Sequence, residues 1–375
     1  MLKIKNILSS SLLLFSVLLA GCPPKPKNVV LCIGDGMGFE QVKAASIYAT
    51  GREGELCFES FPYKTSMTTH SADEAVTDSA ASGTAIATGH KVNNGVVSLQ
   101  IPGDGTELQT LLEYFQQRGK ATGLVTTTYI THATPAVFGA HEKSRQNYDN
   151  IAADYLTQTR PNVLFGAGGH SMSPQAAEDA GYVVVQNLNE LRSLNTEEAT
   201  FVSGQFGTGI PYEMEWTGDL PHLSQMAESA LAILDNDPDG FFLMIEGGTI
   251  DWAGHANNLA NNIGETVEFA KTVQTVLNWA KGRDDTLLVV TADHETGGLK
   301  VTKNNGKGKL PDVHWKSKGH TAAQVPVYAW GAGADLFTDR MDNTDIHNKI
   351  VEATQSQAPP TPERKTKTLS TTGKN

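Results

Sequence analysis

The sequence predicts an α/β fold built on a large, mostly parallel sheet. Two short runs, Phe241–Ile245 and Thr286–Thr291, are almost continuously apolar, which is typical of strands that are covered on both faces. Helical patterns alternate with strand patterns along the chain, as the connections between parallel strands require. Charged side chains follow several strands directly, at the sheet edge where α/β proteins place their ligands.

Composition places the chain among ordinary globular proteins. It has 375 residues, of which 39% are hydrophobic and 19% charged. This length fits two domains or one large domain with inserts, and we assign residues 28–354 to a single domain. The formal net charge of −12 argues against nucleic acid as a structural partner, and bound divalent cations would offset part of it.

The two termini carry sorting and tail signals. Residues 1–21 resemble a lipoprotein-type signal peptide, because Lys3 and Lys5 precede an apolar run. The letters LAGC at 19–22 resemble a lipobox, which predicts a lipid anchor on Cys22 and a periplasmic or outer-membrane location. The alternative is an ordinary signal peptide with an incidental Cys22. Residues 22–27 are predicted to form a tether, and 355–375 a disordered tail.

Strand and helix patterns fill the region between the termini. Further strands are predicted over Asn28–Ile33, Tyr63–Thr68, Ala121–Thr127, Asn162–Gly166, Tyr182–Val185 and Val325–Trp330. Helices are predicted over Phe39–Ala49, Gly105–Gln117, Asn147–Thr159, Pro174–Ala180, Leu188–Leu194, Leu223–Leu234, Asn257–Lys281 and Thr344–Ala353, with a small-residue helix ending at Gly89. The stretch 195–221 is predicted to be irregular, and 299–319 to be a polar insert. Cys32 is expected to be a buried thiol, and its pairing with Cys57 stays open.

Metal-type side chains follow three of these strands. Asp35, Glu246 and the pair Asp293-His294 each stand where a strand ends, and parallel strands bring such ends to one rim. Asp251 and His255 are four residues apart and share a helix face. His132, Thr134 and His320 lie in loops beside other strands. The alternative for residues 246–255 is a glycine turn followed by a capped helix.

The candidate ligands fall into two sets that suit different metal ions. Imidazole and carboxylate ligands suit zinc, and the available histidines and aspartates suffice for two zinc ions. The oxygen set of Asp35, Thr134 and Glu246 suits magnesium.

Ser79 and Arg145 are the candidates for chemistry. Ser79 lies near a helix N-terminus, where it is either a cap or a nucleophile whose alkoxide a metal stabilises. No histidine stands near it in sequence to act as a base, which favours activation by a metal. Arg145 is either a surface charge or a bidentate clamp on an oxyanion.

Six motifs in order resemble those of the alkaline phosphatase family. They are GDGMG (34–38), TDSAAS (77–82), THATPA (131–136), EGGTIDWAGH (246–255), DHETGG (293–298) and GH (319–320). The resemblance covers about residues 28–353 and implies a three-layer αβα sandwich with small inserts near the active site. It also implies hydrolysis of phosphate monoesters at alkaline pH, through a phosphoserine intermediate on Ser79.

The resemblance assigns each candidate a role. Asp251, His255 and His320 would hold one zinc ion, Asp35, Asp293 and His294 a second, and Asp35, Thr134 and Glu246 a magnesium ion. Arg145 would bind two phosphate oxygens. Two metals about 4 Å apart can stabilise the attacking and leaving oxygens of an in-line displacement.

Two positions depart from the best-known bacterial pattern. His132 replaces an aspartate, and Trp252 replaces a lysine. His132 is a further possible ligand of the third metal, for which zinc is then an alternative to magnesium. Loss of the lysine is expected to weaken binding of the phosphate product and, where product release limits turnover, to raise kcat. Both residues are expected to border the substrate.

Two other functional classes stay open at this stage. A phosphodiesterase, sulfatase or phosphomutase of the same superfamily is the nearest alternative, although Ser79, Arg145 and three metal sites favour monoesters. A non-catalytic metal-binding lipoprotein would not need Ser79 and Arg145 beside the ligands. Members of the family are commonly homodimers, but the sequence reveals no interface.

Overall fold

The computed structural model describes residues 25–355. The predicted signal peptide, Cys22 and its lipid anchor, and the tail beyond residue 355 lie outside this part of the chain. Among the described helices, none is both long enough and apolar enough to span a membrane.

The described residues form fourteen strands, ten of which make up a large sheet at the centre of the molecule. The strands are β1 (Asn28–Gly34), β2 (Tyr63–Thr68), β3 (Ala121–Tyr129), β4 (Val163–Ala167), β5 (Val183–Val185), β6 (Val202–Gln205), β7 (Phe241–Gly247), β8 (Thr286–Thr291), β9 (Glu295–Thr296), β10 (Lys300–Lys303), β11 (Asp312–His314), β12 (His320–Thr321), β13 (Val325–Gly331) and β14 (Met341–Asp342). The large sheet has the order β14-β2-β13-β8-β1-β7-β3-β4-β6-β5, and β9–β12 form two separate two-stranded ladders.

Helices cover both faces of this sheet. They are α1 (Phe39–Thr50), α2 (Ser79–Thr88), α3 (Leu111–Gln116), α4 (Ala133–Gly139), α5 (Tyr148–Thr157), α6 (Pro174–Asp179), α7 (Leu188–Ser193), α8 (Leu223–Leu234), α9 (Thr249–Ala256), α10 (Leu259–Ala280) and α11 (Thr344–Thr354). Helices α1, α8, α9 and α10 pack together, α2, α3, α4 and α11 form a separate group, and both groups contact β7. The predicted α/β fold with three layers is therefore confirmed.

The direction of β13 explains where His320 lies. Strand β13 is antiparallel to both β2 and β8, whereas every other pair in the large sheet is parallel. The start of β13 therefore stands at the edge where β8 ends. His320, five residues before Val325, is placed beside the carboxyl ends of the parallel strands, a position that a parallel β13 would not give it.

Three stretches differ from their predicted structure. The helix predicted from Gly105 begins at Leu111, because Thr110 and Glu113 form a reciprocal capping box. The stretch 195–221 contains β6 and a short 3₁₀ turn, so it is not irregular throughout. The polar insert 299–319 folds into the hairpin β10–β11.

Cys32 is a buried free thiol, as predicted, and Cys57 is free as well. Burial raises the pKa of both thiols, that of Cys57 to about 11. The Cys57 thiol donates a hydrogen bond to the carbonyl oxygen of Ala270 (3.1 Å), so tertiary contacts and not a disulfide fix it.

Candidate active site

Three adjacent strands deliver the central carboxylates. Strand β1 lies between β7 and β8, and Ile33 is in register with both Glu246 and Thr291. Asp35 and Asp293 each stand two residues beyond this level, so both follow strand ends at the same rim. Asp35, Glu246 and Asp293 are completely buried. The shared register, which follows from parallel pairing, brings together side chains about 50 to 260 residues apart in sequence.

Asp35, Asp293 and His294 form the most compact group, here called the second group. His294 Nε2 lies 3.4 Å from Asp35 Oδ1 and 3.3 Å from Asp293 Oδ2. Neither of these carboxylate oxygens has a hydrogen-bond partner among the described residues. The other oxygen of Asp293 accepts hydrogen bonds from the backbone N–H groups of Gly36 (3.1 Å) and His294 (2.9 Å).

The protonation tendencies of the second group favour a cation. Burial, followed by the charge of Asp293, raises the pKa of Asp35, and burial with the charge of Asp251 raises the pKa of Asp293 to about 8. Burial and the neighbouring His320 lower the pKa of His294. Two carboxyl groups and a neutral imidazole thus converge at a place where burial disfavours the negative charge of the carboxylates. This donor set fits a zinc ion, and a bound ion would supply the missing positive charge.

Gly36 allows the backbone to pass close to the side chains of the site. Its φ of +71° is in the left-handed region, and a Cβ atom here would lie 2.8 Å from Thr296 Oγ1 and 2.9 Å from Asp251 Oδ1. The GDGMG motif therefore needs glycine at this position because the backbone passes directly against two site side chains.

Asp251, His255 and His320 form the first group. His255 Nε2 lies 3.2 Å from Asp251 Oδ2 and 3.1 Å from His320 Nε2, and His320 Nε2 lies 3.6 Å from Asp251 Oδ1. The Nδ1 atoms of the two histidines face the backbone carbonyls of Lys318 (2.5 Å) and Thr77 (2.9 Å). A carbonyl accepts only from a protonated nitrogen, so Nε2 is the atom that each of these rings can offer to a metal.

The tightest metal-type set on this side differs slightly from the predicted one. It comprises Asp251, His294 and His320, whose ring stacks on that of His294 at 3.6 Å. His255 borders this set, with 41% of its side chain exposed. The hydrogen bond with Asp251, set against partial burial, raises the pKa of His255 to about 9. The three predicted residues therefore lie together, with His255 on the solvent side.

Asp35, Thr134, Glu246 and His132 form the third group. Thr134 Oγ1 lies 3.5 Å from Asp35 Oδ2, and His132 Nδ1 lies 3.9 Å from Glu246 Oε1. Glu246 Oε2 accepts a hydrogen bond from Thr126 (2.5 Å), whereas Glu246 Oε1 and His132 Nδ1 have no partner among the described residues. Burial raises the pKa of Glu246 to about 7. The mainly oxygen donor set fits magnesium, and His132 Nδ1 adds a nitrogen that zinc accepts.

Ser79 lies against the second group. It is the first residue of α2, and Asp78 caps this helix by accepting from the Ala81 N–H (2.9 Å). Ser79 Oγ lies 3.3 Å from His294 Nε2. The helix N-terminus contributes positive potential at this oxygen, which favours an alkoxide or a phosphate there.

Arg145 extends into the same region from the loop before α5. Its Nη1 donates to Asp78 Oδ2 (3.1 Å), and its Nη2 lies 3.1 Å from His132 Nε2. Asp78 therefore caps the helix of Ser79 and orients the guanidinium at the same time. An aspartate directly before a helix start is a recognisable cap in sequence, but its contact with Arg145, 67 residues away, is not.

Thr296 is a second residue that sequence reasoning missed. Its hydroxyl donates to Asp251 Oδ1 and lies 3.3 Å from His294 Nδ1. It thus connects a carboxylate of the first group to the imidazole of the second. No spacing signal in the sequence indicates such a link.

Trp252 and His132 lie side by side. Their rings are 6.0 Å apart at 80°, and Tyr129 contacts the His132 ring edge-on at 5.1 Å. Trp252 is half-buried.

A fourth metal-type set, Glu213, His222 and Glu268, lies away from these groups. It was not predicted, because its members follow no metal-ligand spacing. His222 is hydrogen-bonded to Glu213 (2.9 Å), and Glu268 accepts from Ser224 and pairs with Lys271 (3.1 Å). These contacts already satisfy the set.

A sheet with carboxylates and histidines gathered at its carboxyl rim is the arrangement of a metal-dependent hydrolase. The sequence model of the alkaline phosphatase family matches residues 26–310. Alkaline phosphatase 3 of Bacillus subtilis is 30% identical over 416 aligned residues, covering 88% of this chain and 89% of that protein. The chain therefore belongs to the alkaline phosphatase family, and it is an enzyme of the phosphoric monoester hydrolase class.

Solved structures agree with this assignment. The cold-active alkaline phosphatase of a psychrophilic Shewanella species has a TM-score of 0.80 and 29% identity, over 88% of this chain and 100% of that one. A variant of the TAB5 alkaline phosphatase, described with Mg bound in the M3 site, has a TM-score of 0.77 and 28% identity, over 89% and 99%.

Proposed function

We propose that the enzyme hydrolyses phosphate monoesters at alkaline pH in two steps, with Ser79 as the nucleophile. The proposal rests on one observation: Ser79 Oγ, at the N-terminus of α2, lies 3.3 Å from His294 in a group where one oxygen of Asp35 and one of Asp293 have no hydrogen-bond partner among the described residues. A metal ion held by this group would lower the pKa of the Ser79 hydroxyl, so no separate general base would be required. The three metal-type groups then account for the charge that phosphoryl transfer develops.

The ligand sets follow the three groups. Asp251, His255 and His320 would hold one zinc ion, Asp35, Asp293 and His294 a second, and Asp35, Thr134 and Glu246, with His132, a magnesium ion or a zinc ion in its place. When bound, these ions would lower the pKa of the Ser79 hydroxyl and of a water molecule and stabilise the phosphate oxygens. The TAB5 variant described with Mg bound in its M3 site has aspartate in place of a histidine, so it does not favour magnesium over zinc at a group that contains His132.

The residues of the chain divide the reaction between them. Ser79 Oγ attacks phosphorus, forms a new O–P bond and expels the alcohol, which takes up a proton. Arg145, held by Asp78, binds two oxygens of the phosphoryl group and fixes the line of attack. Water then attacks the phosphoserine, inorganic phosphate leaves, and Ser79 recovers its proton. Two in-line displacements retain the configuration at phosphorus.

The test is replacement of the nucleophile. Ser79→Ala is expected to lower kcat for p-nitrophenyl phosphate by at least about a thousandfold, because the covalent route is lost. Metal content per chain and the circular dichroism spectrum should stay unchanged. Acid-quenched wild-type enzyme should carry a phosphoryl group on the Ser79 peptide. An active Ser79→Ala variant with normal metal content would remove this serine from the mechanism.

Substrate class is tested in the same assay. The phosphate, the bis-phosphate diester and the sulfate of p-nitrophenol share one leaving group, so their relative rates compare the transferred groups alone. We expect the monoester to be hydrolysed much faster than the other two. Preference for the diester or the sulfate would assign the chain to a different activity of the superfamily.

We further propose that the enzyme is exported and anchored through a lipid on Cys22, in the periplasm or at the outer membrane. The lipobox-like letters at 19–22 support this location. Membrane fractionation of wild type and Cys22→Ser tests it, and the proposal fails if both partition identically. A homodimer is the expected assembly, and sedimentation analysis would reveal it.

A further inference from the structure

A surface cavity of about 320 Å³ lies mainly among the residues that directly follow Arg145 in the chain. It is lined by Gln146, Asn147, Tyr148, Asp149, Asn150 and Ser171. Gln146 is bonded to Arg145, so the cavity begins one residue from the proposed phosphate clamp. This volume is at the lower end of those of small-molecule sites.

Aromatic contacts join this cavity to the site. The hydroxyl of Tyr148, a lining residue, is 3.1 Å from that of Tyr129. Tyr129 contacts His132 edge-on, and His132 Nε2 lies 3.1 Å from Arg145 Nη2. A wall of contacting rings therefore runs from the cavity lining to His132, which contacts Arg145. The imidazole of His170 stacks on Tyr129 at 3.9 Å and extends this wall.

The lining has a definite chemical character. Amide, carboxylate and hydroxyl groups surround the cavity, and none of its six lining residues is cationic. Asp149 would repel a second phosphate, whereas it accepts hydrogen bonds from hydroxyl groups. The ring of Tyr148 offers an apolar surface beside these polar groups. Such a combination suits a neutral, hydroxyl-rich ring.

The backbone opposite Asp149 is strained. His170 and Ser171 both have left-handed φ values, 45° and 71°, although neither is glycine. Ser171 Oγ donates to Asp149, and Thr131 donates to the His170 carbonyl oxygen (2.9 Å), so hydrogen bonds maintain the strained turn. Strain of this kind persists where the surroundings enforce it, frequently at ligand sites.

We propose that this cavity binds the alcohol part of the substrate and favours monoesters of sugars or nucleosides. The inference rests on the proposed phosphomonoesterase function. The second oxygen of Asp149 and the Ser171 hydroxyl oxygen accept hydrogen bonds from ring hydroxyls, and Tyr148 packs against the ring. A small alkyl ester gains none of these contacts and depends on the phosphate site alone.

Three substrates with the same kind of leaving group test the proposal. Ethyl phosphate, glucose 6-phosphate and adenosine 5′-monophosphate are all esters of primary alcohols, so their intrinsic reactivity is similar. Wild-type kcat/KM should be higher for at least one ring ester than for ethyl phosphate. Asp149→Ala and Ser171→Gly should each reduce this preference about five- to tenfold, the effect of about one ligand hydrogen bond, chiefly through KM.

The variants separate a binding role from a structural one. Ser171→Gly relieves the left-handed strain and should raise Tm while it lowers the preference for ring esters. Asp179→Ala, on exposed α6, is the matched control and should leave all three kcat/KM values unchanged.

The possible outcomes either identify which ring the cavity binds or overturn the proposal. A loss confined to glucose 6-phosphate or to the nucleotide assigns the cavity to that ring. Equal changes for all three esters, or a wild type that hydrolyses ethyl phosphate as well as both ring esters, would overturn the proposal. Absence of hydrolysis of all three, ethyl phosphate included, would instead contradict the proposed function.

Discussion

The candidate site has two halves that differ in burial and construction. The buried half comprises the second and third groups, in which Asp35, Glu246 and Asp293 are fully buried at the ends of central strands. The open half is the first group, in which 41% of the His255 side chain and 15% of the His320 side chain are exposed. Its residues stand on the short helix α9 and the two-residue strand β12.

This difference indicates unequal dependence on metal. The buried half contains carboxylate oxygens without hydrogen-bond partners among the described residues, so its charge needs compensation even when no substrate is bound. In the open half, Asp251 is already hydrogen-bonded to His255 and Thr296, and water reaches the imidazoles. We therefore expect ions of the buried half to stabilise the fold and the ion of the open half to exchange more readily.

The largest effect should come from Asp35, which belongs to both the second and the third group. Asp35→Asn keeps the shape but removes charge from two sites, so kcat/KM should fall by roughly a thousandfold, equivalent to several kcal/mol of lost metal stabilisation. Metal analysis should find fewer than the wild-type number of ions per chain. His255→Gln is the comparison from the open half: we expect a smaller loss, largely restored by excess zinc. Equal losses that zinc does not restore would contradict the division into halves.

Metal removal should destabilise the protein in a pH-dependent manner. Burial raises the pKa of Glu246 from 4.5 to about 7 and, with the Asp251 charge, that of Asp293 from 3.8 to about 8. Between these values the folded metal-free chain holds protons that the unfolded chain has released. Burial lowers the pKa of His294 and His132 below 6.5, which opposes this effect at lower pH, so the stability of the chelated protein should fall mainly as pH rises from about 6.5 to about 8.

Thermal unfolding of chelated and metal-loaded protein across this pH range is the measurement. A bound ion replaces the proton, so the loaded protein should lack this fall in Tm. A chelated protein whose Tm rises over the same interval would show that these carboxylates do not carry uncompensated charge.

The buried half could be predicted from sequence because its cause is local. An apolar run followed by an acid places a carboxylate at a strand end, and parallel pairing brings Asp35, Glu246 and Asp293 to one rim. All residues of the open half could be predicted only with the help of the family resemblance. His320 depends on the antiparallel direction of β13, which no periodicity in Val325–Trp330 indicates.

The missed residues act through tertiary contacts. Thr296 reaches Asp251, 45 residues away, and Asp78 reaches Arg145, 67 residues away. Strands β9 and β12 have two residues each, too few for any pattern, and they exist because they pair with each other. The start of α3 was misplaced for a simpler reason, since the capping box Thr110–Glu113 is visible in the sequence.

Thr296 allows a test of how the two halves are coupled. Thr296→Val removes the hydroxyl that connects Asp251 with His294 while keeping the side-chain volume. We expect about a tenfold to a hundredfold loss of zinc affinity, greatest at the open half, as for other residues that orient metal ligands. Competition with a zinc chelator measures the affinity directly. Thr296→Ser keeps the hydroxyl and should retain most of it, so a serine variant as weak as valine would indicate a packing role instead.

The smallest effect should come from Trp252, which stands where another bacterial pattern has lysine. Its ring lies 6.0 Å from that of His132, whose Nε2 is 3.1 Å from Arg145. Trp252→Lys adds a positive charge near the phosphate site, worth about 1 kcal/mol at this partly exposed position, so inorganic phosphate should inhibit about fivefold more strongly. If product release limits turnover, kcat falls in parallel. Trp252→Leu removes the ring without adding charge and should leave phosphate inhibition unchanged. Unchanged inhibition by phosphate in Trp252→Lys would contradict the expectation that the missing lysine weakens product binding.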